Sequence, residues 1–302
     1  MSSIADIQKK YAGKLDRLDL ELILAHSLSK TREFVLIHDD YEIPKFKIEN
    51  LKLKISRRIK GEPIAYITGH KEFYGLDFIV NASTLVPRPE TEMLVEQALN
   101  ETWSMDHGTK NTYIIDVGTG SGCIITAIAN SMEHGAWSME QKKTTQYYAT
   151  DISKEALKIA KKNAKLNGVE KKIKFLHGDL LAPLLSNSCS MFHTPCSMSI
   201  IANLPYLSKE IYQSAPVDVK KFEPKTALFS PEQGLAHYRK LLEQVKKSLV
   251  LCSMFHVLCF LEISPEQKKL ITPVIKNIFP KAKIEFKKDL AGKWRVCGIE
   301  IC

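Results

Sequence analysis

The sequence predicts an α/β protein in which a doubly wound, mainly parallel sheet follows a small helical domain. From about residue 110 onward, short apolar runs alternate with segments of helical periodicity, a pattern typical of parallel sheets covered by helices. The first 60 residues or so lack strand alternation and repeat apolar residues at helical spacing. Aromatic and β-branched residues punctuated by glycine lie between these regions and indicate a β-hairpin.

Two helices are predicted in the N-terminal region. The first begins near Asp19, which we expect to be its N-cap. Its apolar face contains Leu20, Ile23, Leu24 and Leu28. The second helix is predicted from about Lys45 to Ile59, with an inward face of Ile48, Leu51, Ile55 and Ile59.

The hairpin is predicted from the two segments Ile64–Gly69 and Phe73–Val80, and a helix from Met93 to Asn100 follows it. We therefore divide the chain into a helical domain (residues 1–62), a β-hairpin linker (63–88) and an α/β domain (89–302).

Strands and helices of the α/β domain are expected to alternate in order along the chain. The expected strands are Tyr113–Val117, Gln146–Thr150, Ile173–Leu176, Ser199–Ala202, Val257–Ile263, Lys283–Lys287 and Trp294–Ile301. The expected helices are Cys123–Ala129, Lys154–Leu166, Glu232–Ser248 and Pro265–Ile278. Ligands of such sheets bind at the carboxyl ends of the strands, so the segments after the strands are the first place to look for a site.

Composition and charge narrow the class of protein. Hydrophobic residues make up 44% of the chain and charged residues 25%, which excludes disorder over most of its length. The formal net charge of +9 favours an anionic or nucleic-acid-associated partner. Neither a secretory signal nor an apolar run long enough to span a membrane is expected, and the 7 cysteines are read as reduced thiols. The sequence thus predicts a cytoplasmic protein.

A glycine-rich turn follows the first strand of the α/β domain. Gly118, Thr119, Gly120, Ser121 and Gly122 separate Val117 from a helix, and glycine lets backbone approach a ligand closely. The spacing is neither the dinucleotide fingerprint nor a P-loop. It suits a ligand without a pyrophosphate, although a purely structural turn has the same appearance.

Acidic residues follow the next two strands. Asp151 lies about 30 residues after the glycine turn, where a carboxylate can accept hydrogen bonds from both hydroxyls of a ribose. The alternative role for Asp151 is capping the helix that opens near Ser153. Asp179 and Leu180 follow the third strand and are expected to line an adenine pocket.

The motif Asn203-Leu204-Pro205-Tyr206 directly follows the fourth strand. An amide or aromatic amine nitrogen is a poor nucleophile, so its methylation depends on orientation and electrostatics. The Asn203 side-chain oxygen and the Leu204 carbonyl can hold the two hydrogens of an NH₂ group. Pro205 stiffens the turn, and Tyr206 offers a ring face for a planar group.

Together these motifs resemble the release factor glutamine methyltransferases, the HemK/PrmC family. The resemblance covers nearly the whole chain. It rests on the glycine turn, Asp151, Asn203–Tyr206 and three further segments, Val86–Glu92, Phe222–Leu228 with Gly234, Leu235 and Tyr238, and Lys288–Val296.

The resemblance implies a Rossmann-like, seven-stranded methyltransferase domain that uses S-adenosyl-L-methionine. The implied reaction is N5-methylation of the glutamine in the Gly-Gly-Gln motif of class I peptide chain release factors. Gly118–Gly122, Asp151, Asp179, Leu180 and Asn203 would contact the cofactor, and Asn203–Tyr206 would hold the glutamine. The protein is expected to act as a monomer that requires no membrane, metal or direct nucleic-acid contact.

Three departures from the family pattern keep alternatives open. Leu204 stands where the family has proline, and Asn-Leu-Pro-Tyr is also the pattern of rRNA adenine dimethyltransferases. An N6-adenine methyltransferase acting on rRNA or DNA, or a glutamine methyltransferase of a ribosomal protein, is therefore an alternative function. Ser264 replaces a glycine after the fifth strand, and the usual Pro-Gly-Gly turn before that strand is absent.

A repeated segment replaces that missing turn. Cys189–Cys196 and Cys252–Cys259 share the pattern Cys-Ser-Met-Phe-His-x-x-Cys. Thiols and imidazoles at this spacing could bind zinc. We favour instead a repeated insertion in surface loops, because the second copy runs into a stretch that is typical of a buried strand.

Overall fold

The computed structural model describes residues 2–104, 111–134, 144–185, 196–251 and 256–301. The chain forms two compact units. The first contains Met1–His70 together with Pro216–Phe222, and the second contains Lys71–Ala215 and Glu223–Cys302. The domain limits at residues 62 and 88 stay a prediction.

The first unit is helical. Its core is a cluster of aliphatic side chains that includes Ile23, Leu24, Leu51 and Ile55, all fully buried. Its helices are α1 (Ile4–Tyr11), α2 (Arg17–Leu28), α3 (Arg32–Ile37), α4 (Lys45–Ile59) and α5 (Ile64–Thr68). Helix α11 (Val217–Phe222) belongs to the same unit.

The buried face predicted for α2 is confirmed, but its start is not. Asp16 is the N-cap, and its carboxylate accepts hydrogen bonds from the backbone N–H groups of Leu18 and Asp19. Asp19 lies in the first turn, where a negative charge interacts favourably with the helix dipole. Its carboxylate pairs with Arg58 at 2.6 Å. Helix α4 has the predicted bounds, although Ile59 at its end is 49% exposed rather than inward.

The hairpin prediction was wrong for its first segment, because Ile64–Thr68 forms helix α5. Pro63 precedes this helix, and Gly69 ends it in the left-handed conformation (φ 80°), as is common at a helix C-terminus. The hairpin lies further on, with β1 (His70–Phe73) paired to β2 (Leu76–Ile79). Gly75 (φ 71°) follows Tyr74 at the turn.

The second unit is built on a seven-stranded sheet, which confirms the predicted α/β class. The strand order is β5-β4-β3-β6-β7-β9-β8, and only the pairings of β9 are antiparallel. The strands are β3 (Asn111–Val117), β4 (Thr144–Asp151), β5 (Ile173–His177), β6 (Cys196–Ala202), β7 (His256–Glu262), β8 (Lys283–Lys288) and β9 (Trp294–Ile301).

Helices cover this sheet on two faces, because the central strands are apolar on both sides. Ile115 and Ile200 belong to one core cluster, and Ile114 and Ile201 belong to the other. The helices of the unit are α6 (Pro89–Ser104), α7 (Cys123–His134), α8 (Lys154–Leu166), α9 (Ala182–Leu185), α10 (Lys209–Ser214), α12 (Pro231–Gly234), α13 (Ala236–Leu251) and α14 (Gln267–Ile278).

Several boundaries differ from prediction. Helix α6 starts at Pro89 and is longer than the predicted Met93–Asn100. The predicted helix from Glu232 begins regularly only at Ala236, because Glu232 and Gln233 have positive φ. The cysteine-rich repeats fall partly outside the described residues, at 189–195 and 252–255. Their described ends lie in β6 and β7, which are fully buried strands, and not in loops.

Across the part of the chain that the structure describes, no helix has the combination of length and hydrophobicity that a bilayer crossing requires. Nor do the described residues bring three or more histidine, cysteine, aspartate or glutamate side chains together as a metal site would need. The described residues of the repeats include Cys196 and Cys259, which are both buried.

Candidate active site

The order in which the chain adds strands to the sheet changes direction at the neighbouring strands β3 and β6. From β3 it continues outward to β4 and β5, and then crosses back to add β6 and β7 on the other side. Such a switch point leaves a crevice at the carboxyl ends of the two central strands. The register aligns Val117 with both Thr150 and Ala202, and Ala202 with Leu261. The residues that follow these strand ends are therefore neighbours along this edge of the sheet: Asp151, Gly118, Asn203 and Glu262.

The glycine turn folds back over the end of β4. The backbone N–H groups of Gly118 and Thr119 both donate to the Thr150 carbonyl, at 2.9 Å each. Gly118 (φ 72°), Gly120 (φ 55°) and Gly122 (φ 79°) all have positive φ, which glycine adopts without strain. A side chain at Gly118 would meet Leu204 at 2.7 Å. The turn thus packs directly against the Asn203–Tyr206 segment.

Asp151 supports the turn from the neighbouring strand. Its Oδ2 accepts from the Gly120 N–H at 2.8 Å, and its Oδ1 accepts from the Ser153 N–H at 2.7 Å. Burial raises the pKa of this carboxyl, and the two backbone hydrogen bonds act in the opposite direction. Ser153 is the N-cap of α8, with its hydroxyl accepting from Ala156 N–H. Asp151 is therefore not the cap, and each of its oxygens keeps a lone pair for a further donor.

Asp116 lies beneath the turn, fully buried at the end of β3. The Thr119 hydroxyl donates to its Oδ2 at 2.6 Å. Burial raises its pKa from 3.8 to about 7. Glu262, at the end of β7, is in the same situation, because burial raises its pKa from 4.5 to about 7.

These two carboxyls give a pH dependence of stability whose sign is fixed. Between pH 4 and 7, approximately, the folded protein holds protons that the unfolded chain has released. The contribution of these two carboxyls to the free energy of unfolding is therefore expected to be greatest at the acid end of this range and to fall as pH rises toward 7. Urea unfolding of the wild type and of Asp116→Asn checks this, because the variant should show a shallower decline. Equal slopes in the two proteins would contradict the role of Asp116.

Asn203 and Leu204 continue directly from β6 into the crevice. The Asn203 side-chain nitrogen Nδ2 donates to Thr91 Oγ1 at 3.1 Å. Among the described residues, the Asn203 side-chain oxygen accepts no hydrogen bond. The Leu204 side chain is buried, and its carbonyl lies 3.3 Å from the Tyr238 hydroxyl. A carbonyl has two acceptor positions, so the Leu204 oxygen keeps capacity for another donor.

The hydroxyl and the backbone carbonyl of Tyr206 both contact buried polar side chains. The hydroxyl lies 3.4 Å from Glu262 Oε1, and burial raises its pKa. The carbonyl accepts from Gln267 Nε2 at 3.3 Å, and the same nitrogen donates to the Gly234 carbonyl at 3.0 Å. Gln267 is 2% exposed, so it links the segment after β6 to the segment before α13.

Gly234 lies against the Tyr206 carbonyl with no room for a side chain. It has φ 88°, and an added Cβ would overlap the Tyr206 carbonyl oxygen and lie 2.7 Å from Gln267 Nε2. We expect Gly234→Ala to lower the free energy of unfolding by about 2 kcal/mol through left-handed strain and overpacking. Denaturant titration measures this. Gly292→Ala is the matched control, because Gly292 has φ 74° with nothing within 4 Å of an added Cβ. An equal loss in both variants would reduce the effect to backbone strain.

A cavity of about 360 Å³ occupies the crevice, within the range that small-molecule ligands use. Of the residues predicted for the site, its lining includes Gly118, Thr119, Gly120, Ser121, Asp151, Asp179, Leu180, Asn203, Leu204 and Pro205. Gly122 and Tyr206 are adjacent to the lining and not part of it. The Asp179 carboxylate pairs with Lys240, and Leu180 adopts a left-handed conformation (φ 52°).

Sequence reasoning gave no role to several residues that the fold brings to this cavity. Thr91, Arg88 and His237 are in the lining, and Glu262 lies behind Thr91. Arg88 pairs with the buried Glu223. Arg88 and Thr91 belong to the segment Val86–Glu92, which contributed to the resemblance. His237 and Glu262 lie outside the motifs that were assigned a role: Glu262 ends an apolar run, and His237 lies within a predicted helix.

The chain is similar to known proteins in both sequence and fold. Two family models match the chain, the PrmC N-terminal domain over residues 9–69 and a methyltransferase domain over residues 108–249. A release factor glutamine methyltransferase of Bacillus anthracis is 32% identical over 93% of this chain and 91% of its own length. Proteins of the same name from Enterococcus faecalis and Nitratidesulfovibrio vulgaris are 34% and 35% identical, over 88% and 94% of this chain and 85% and 89% of their own lengths.

Among solved structures, the catalytic domain of human METTL16 in complex with the MAT2A 3′UTR hairpin 6 has a TM-score of 0.53. It is 16% identical, and the match covers 92% of this chain and 91% of that chain. The same domain in complex with hairpin 1 has a TM-score of 0.52 at 15% identity, over 85% and 81% of the two chains. At such identities the similarity shows the fold alone.

Proposed function

The chain belongs to the release factor glutamine methyltransferase family, and on that premise we propose which reaction the crevice performs. The protein transfers a methyl group from S-adenosyl-L-methionine to the side-chain amide nitrogen N5 of a glutamine. That glutamine is the one in the Gly-Gly-Gln motif of class I peptide chain release factors. The observation that carries this proposal is the position of Asn203 and the Leu204 carbonyl beside the glycine turn, at the switch point of the sheet.

The residues of the crevice fit the proposed cofactor. Gly120 lines the cavity, and a Cβ there would meet no protein atom nearer than 4.0 Å, so the missing side chain leaves space for a ligand. Asp151 keeps acceptor positions for two ribose hydroxyls. Leu180 and Ile152, both in the lining, offer apolar contact to an adenine ring. When bound, S-adenosyl-L-methionine supplies an electrophilic methyl group on a sulfonium.

The substrate amide is held by acceptors from this chain. In the proposed mechanism the Asn203 side-chain oxygen and the Leu204 carbonyl each accept one hydrogen of the glutamine NH₂ group. They turn the nitrogen lone pair toward the methyl donor and stabilise the positive charge that develops on nitrogen. No general base is required, because the proton lost after transfer can leave to water. Leu204 and Tyr238, which lie beside these acceptors, are both buried.

Leu204 also favours a second candidate, methylation of an adenine N6 nitrogen in rRNA or DNA. The NH₂ group of adenine, like that of glutamine, is planar and presents two hydrogens, so the same two acceptors would fit it. The net charge of +9 is compatible with a nucleic-acid substrate. A glutamine of a ribosomal protein is a third acceptor with the same chemistry. Substrate choice among these is therefore the first property to measure.

A tritiated-methyl transfer assay tests the proposal. The purified protein would be offered a class I release factor, the same factor with its Gly-Gly-Gln glutamine changed to alanine, ribosomal proteins, and bulk rRNA. We expect label on the intact factor and none on the altered factor. Label on rRNA or a ribosomal protein, with none on the intact factor, would overturn the substrate assignment while keeping the reaction class.

A further inference from the structure

The Asn203 side chain can serve the proposed reaction in only one of its two orientations. Rotation of the amide by 180° exchanges its oxygen, an acceptor, with its NH₂ group, a donor. With the oxygen toward the substrate, Asn203 accepts a hydrogen from the NH₂ group to be methylated. With the NH₂ group toward the substrate, two sets of donors face each other and the substrate nitrogen is not held. Something in the fold must therefore choose the orientation.

A row of hydrogen-bonded side chains, Asn203, Thr91 and Glu262, makes that choice. Thr91, in the first turn of α6, is 2% exposed, and its hydroxyl donates to Glu262 Oε2 at 2.6 Å. A hydroxyl has one hydrogen, so this bond leaves Thr91 Oγ1 as an acceptor only. The group of Asn203 that faces it, at 3.1 Å, must therefore be the donor Nδ2. Because Nδ2 is turned to Thr91, the oxygen is left as the outward group.

We propose that Thr91 and Glu262 are positioning residues that fix which end of the Asn203 amide faces the substrate nitrogen. This inference rests on the proposed function of the crevice and adds two residues to it. The pair does not contact the reacting atoms. It acts by leaving the amide of Asn203 a single low-energy orientation before the substrate arrives, and such preorganisation lowers the cost of reaching the transition state.

Glu262 is well placed to anchor the row. It is 2% exposed, and its backbone carbonyl accepts a hydrogen bond from the Tyr238 hydroxyl. Its carboxylate also lies 3.4 Å from the Tyr206 hydroxyl. The titratable groups that face it come from α6, α7, β9, α13 and the segment after β6: Glu90, Cys123, Arg295, Tyr238 and Tyr206.

The protonation state of Glu262 decides which group donates each hydrogen bond in the row. As a carboxylate it can only accept, which forces Thr91 to donate to it. As a carboxylic acid it can donate to Thr91 Oγ1, and the Thr91 hydrogen is then free to turn toward Asn203. The orientation of Asn203 is fixed only in the first state. Since burial raises the pKa of Glu262 to about 7, with Thr91, Arg295 and Tyr206 opposing the shift, the row is expected to weaken below that pH.

Substitutions at Thr91 test the proposal most directly. Thr91→Val keeps the shape and removes the hydroxyl, and Thr91→Ser keeps the hydroxyl. We expect Thr91→Val to lower kcat at saturating cofactor and substrate about 10- to 100-fold, and Thr91→Ser to restore it to within about threefold. Cofactor affinity measured by calorimetry should stay unchanged. Thr126→Val is the matched control, because Thr126 is fully buried and its hydroxyl has no partner among the described residues.

A merely structural role would lower stability without this pattern. An equal loss of kcat in Thr91→Val and Thr126→Val, or a loss in Thr91→Val that only follows its melting temperature, would overturn the proposal. Wild-type kcat in Thr91→Val would do the same. The test uses whichever acceptor the wild type labels, so a wrong substrate assignment would leave the comparison valid. The labelling assay on the wild type tests the proposed function, whereas the comparison of the variants with the wild type tests the positioning role.

Nuclear magnetic resonance of the side-chain amide gives a readout that needs no substrate. Selectively ¹⁵N-labelled asparagine would be observed in the wild type, in Thr91→Val and in Asn203→Ala, which identifies the Asn203 signal by its loss. One Asn203 amide hydrogen is expected to exchange slowly in the wild type and rapidly in Thr91→Val. Equal exchange in both proteins would contradict the row even if the enzyme labelled no acceptor.

The pH profile separates Glu262 from the other carboxyls. We expect wild-type kcat to fall as pH drops below about 7, and Glu262→Gln to keep its rate through the same range. The glutamine retains an oxygen to accept from Thr91 and does not titrate. Asp116 titrates in the same range but is unchanged in this variant. An acid limb that persists unaltered in Glu262→Gln would therefore assign the titration elsewhere and refute the role of Glu262.

Discussion

Replacement of Asn203 by alanine is expected to reduce kcat on the order of 10²- to 10³-fold, the typical effect of removing one preorganised hydrogen-bonding group from an active site. The substrate NH₂ group would lose one of its two acceptors, and the charge that develops on nitrogen would lose a stabilising dipole. The cavity would keep the glycine turn and Asp151, so the cofactor should still bind with an affinity within several-fold of wild type. Single-turnover methyl transfer at saturating cofactor measures the first effect, and calorimetry measures the second.

The control for this prediction is Asn130→Ala. Asn130 lies in α7, outside the cavity lining, and its side-chain nitrogen donates to the Asn167 carbonyl at 3.3 Å. The substitution removes the same chemical group from a position outside the cavity lining, and kcat should be unchanged. A near-normal rate in Asn203→Ala would defeat the proposed mechanism, whereas a parallel loss of rate and cofactor affinity would show that Asn203 mainly holds the cofactor.

Replacement of Asp151 by alanine is expected to weaken cofactor affinity about 10- to 100-fold, the range given by losing hydrogen bonds to a charged group. Two effects combine here. The ribose would lose its acceptors, and the Gly120 N–H, now 2.8 Å from Asp151 Oδ2, would lose the bond that fixes the glycine turn. Rate at saturating cofactor should change far less than affinity, because Asn203 and Leu204 are untouched.

Glu155→Ala provides the matched loss of one acidic charge from the same cavity. Glu155 is in the lining, but its carboxylate pairs with Lys158 at 2.8 Å and both side chains are largely exposed. Such a pair contributes little, so we expect no measurable change in cofactor affinity. Equal weakening by both substitutions would indicate a general effect of charge. Unchanged affinity in Asp151→Ala would remove Asp151 from the ribose site.

The sequence was most informative where the chain is strongly periodic. Helix α8 and strand β9 have the predicted bounds. Leu157 and Ala160 lie on one apolar face of α8, and the buried residues of β9 alternate with less buried ones from Cys297 to Ile301. It was least informative in short segments. Ile64–Thr68 has the aromatic and β-branched residues of a strand, yet Pro63 and Gly69 bound a single helical turn. Local propensity cannot decide five residues whose conformation depends on what they pack against.

By itself, the sequence determined the α/β class, the family, the glycine turn and the Asn203-Leu204-Pro205-Tyr206 motif, since each follows from the order of residues and segments along the chain. The tertiary structure decided which separate segments meet. Thr91, Asn203 and Glu262 are more than 50 residues apart from one another in sequence. Only the pairing and register of β6 and β7, with α6 packed on them, bring the three residues into one hydrogen-bonded row. A hydrogen bond depends on distance and direction in space, and sequence separation carries no information about either until the sheet is formed.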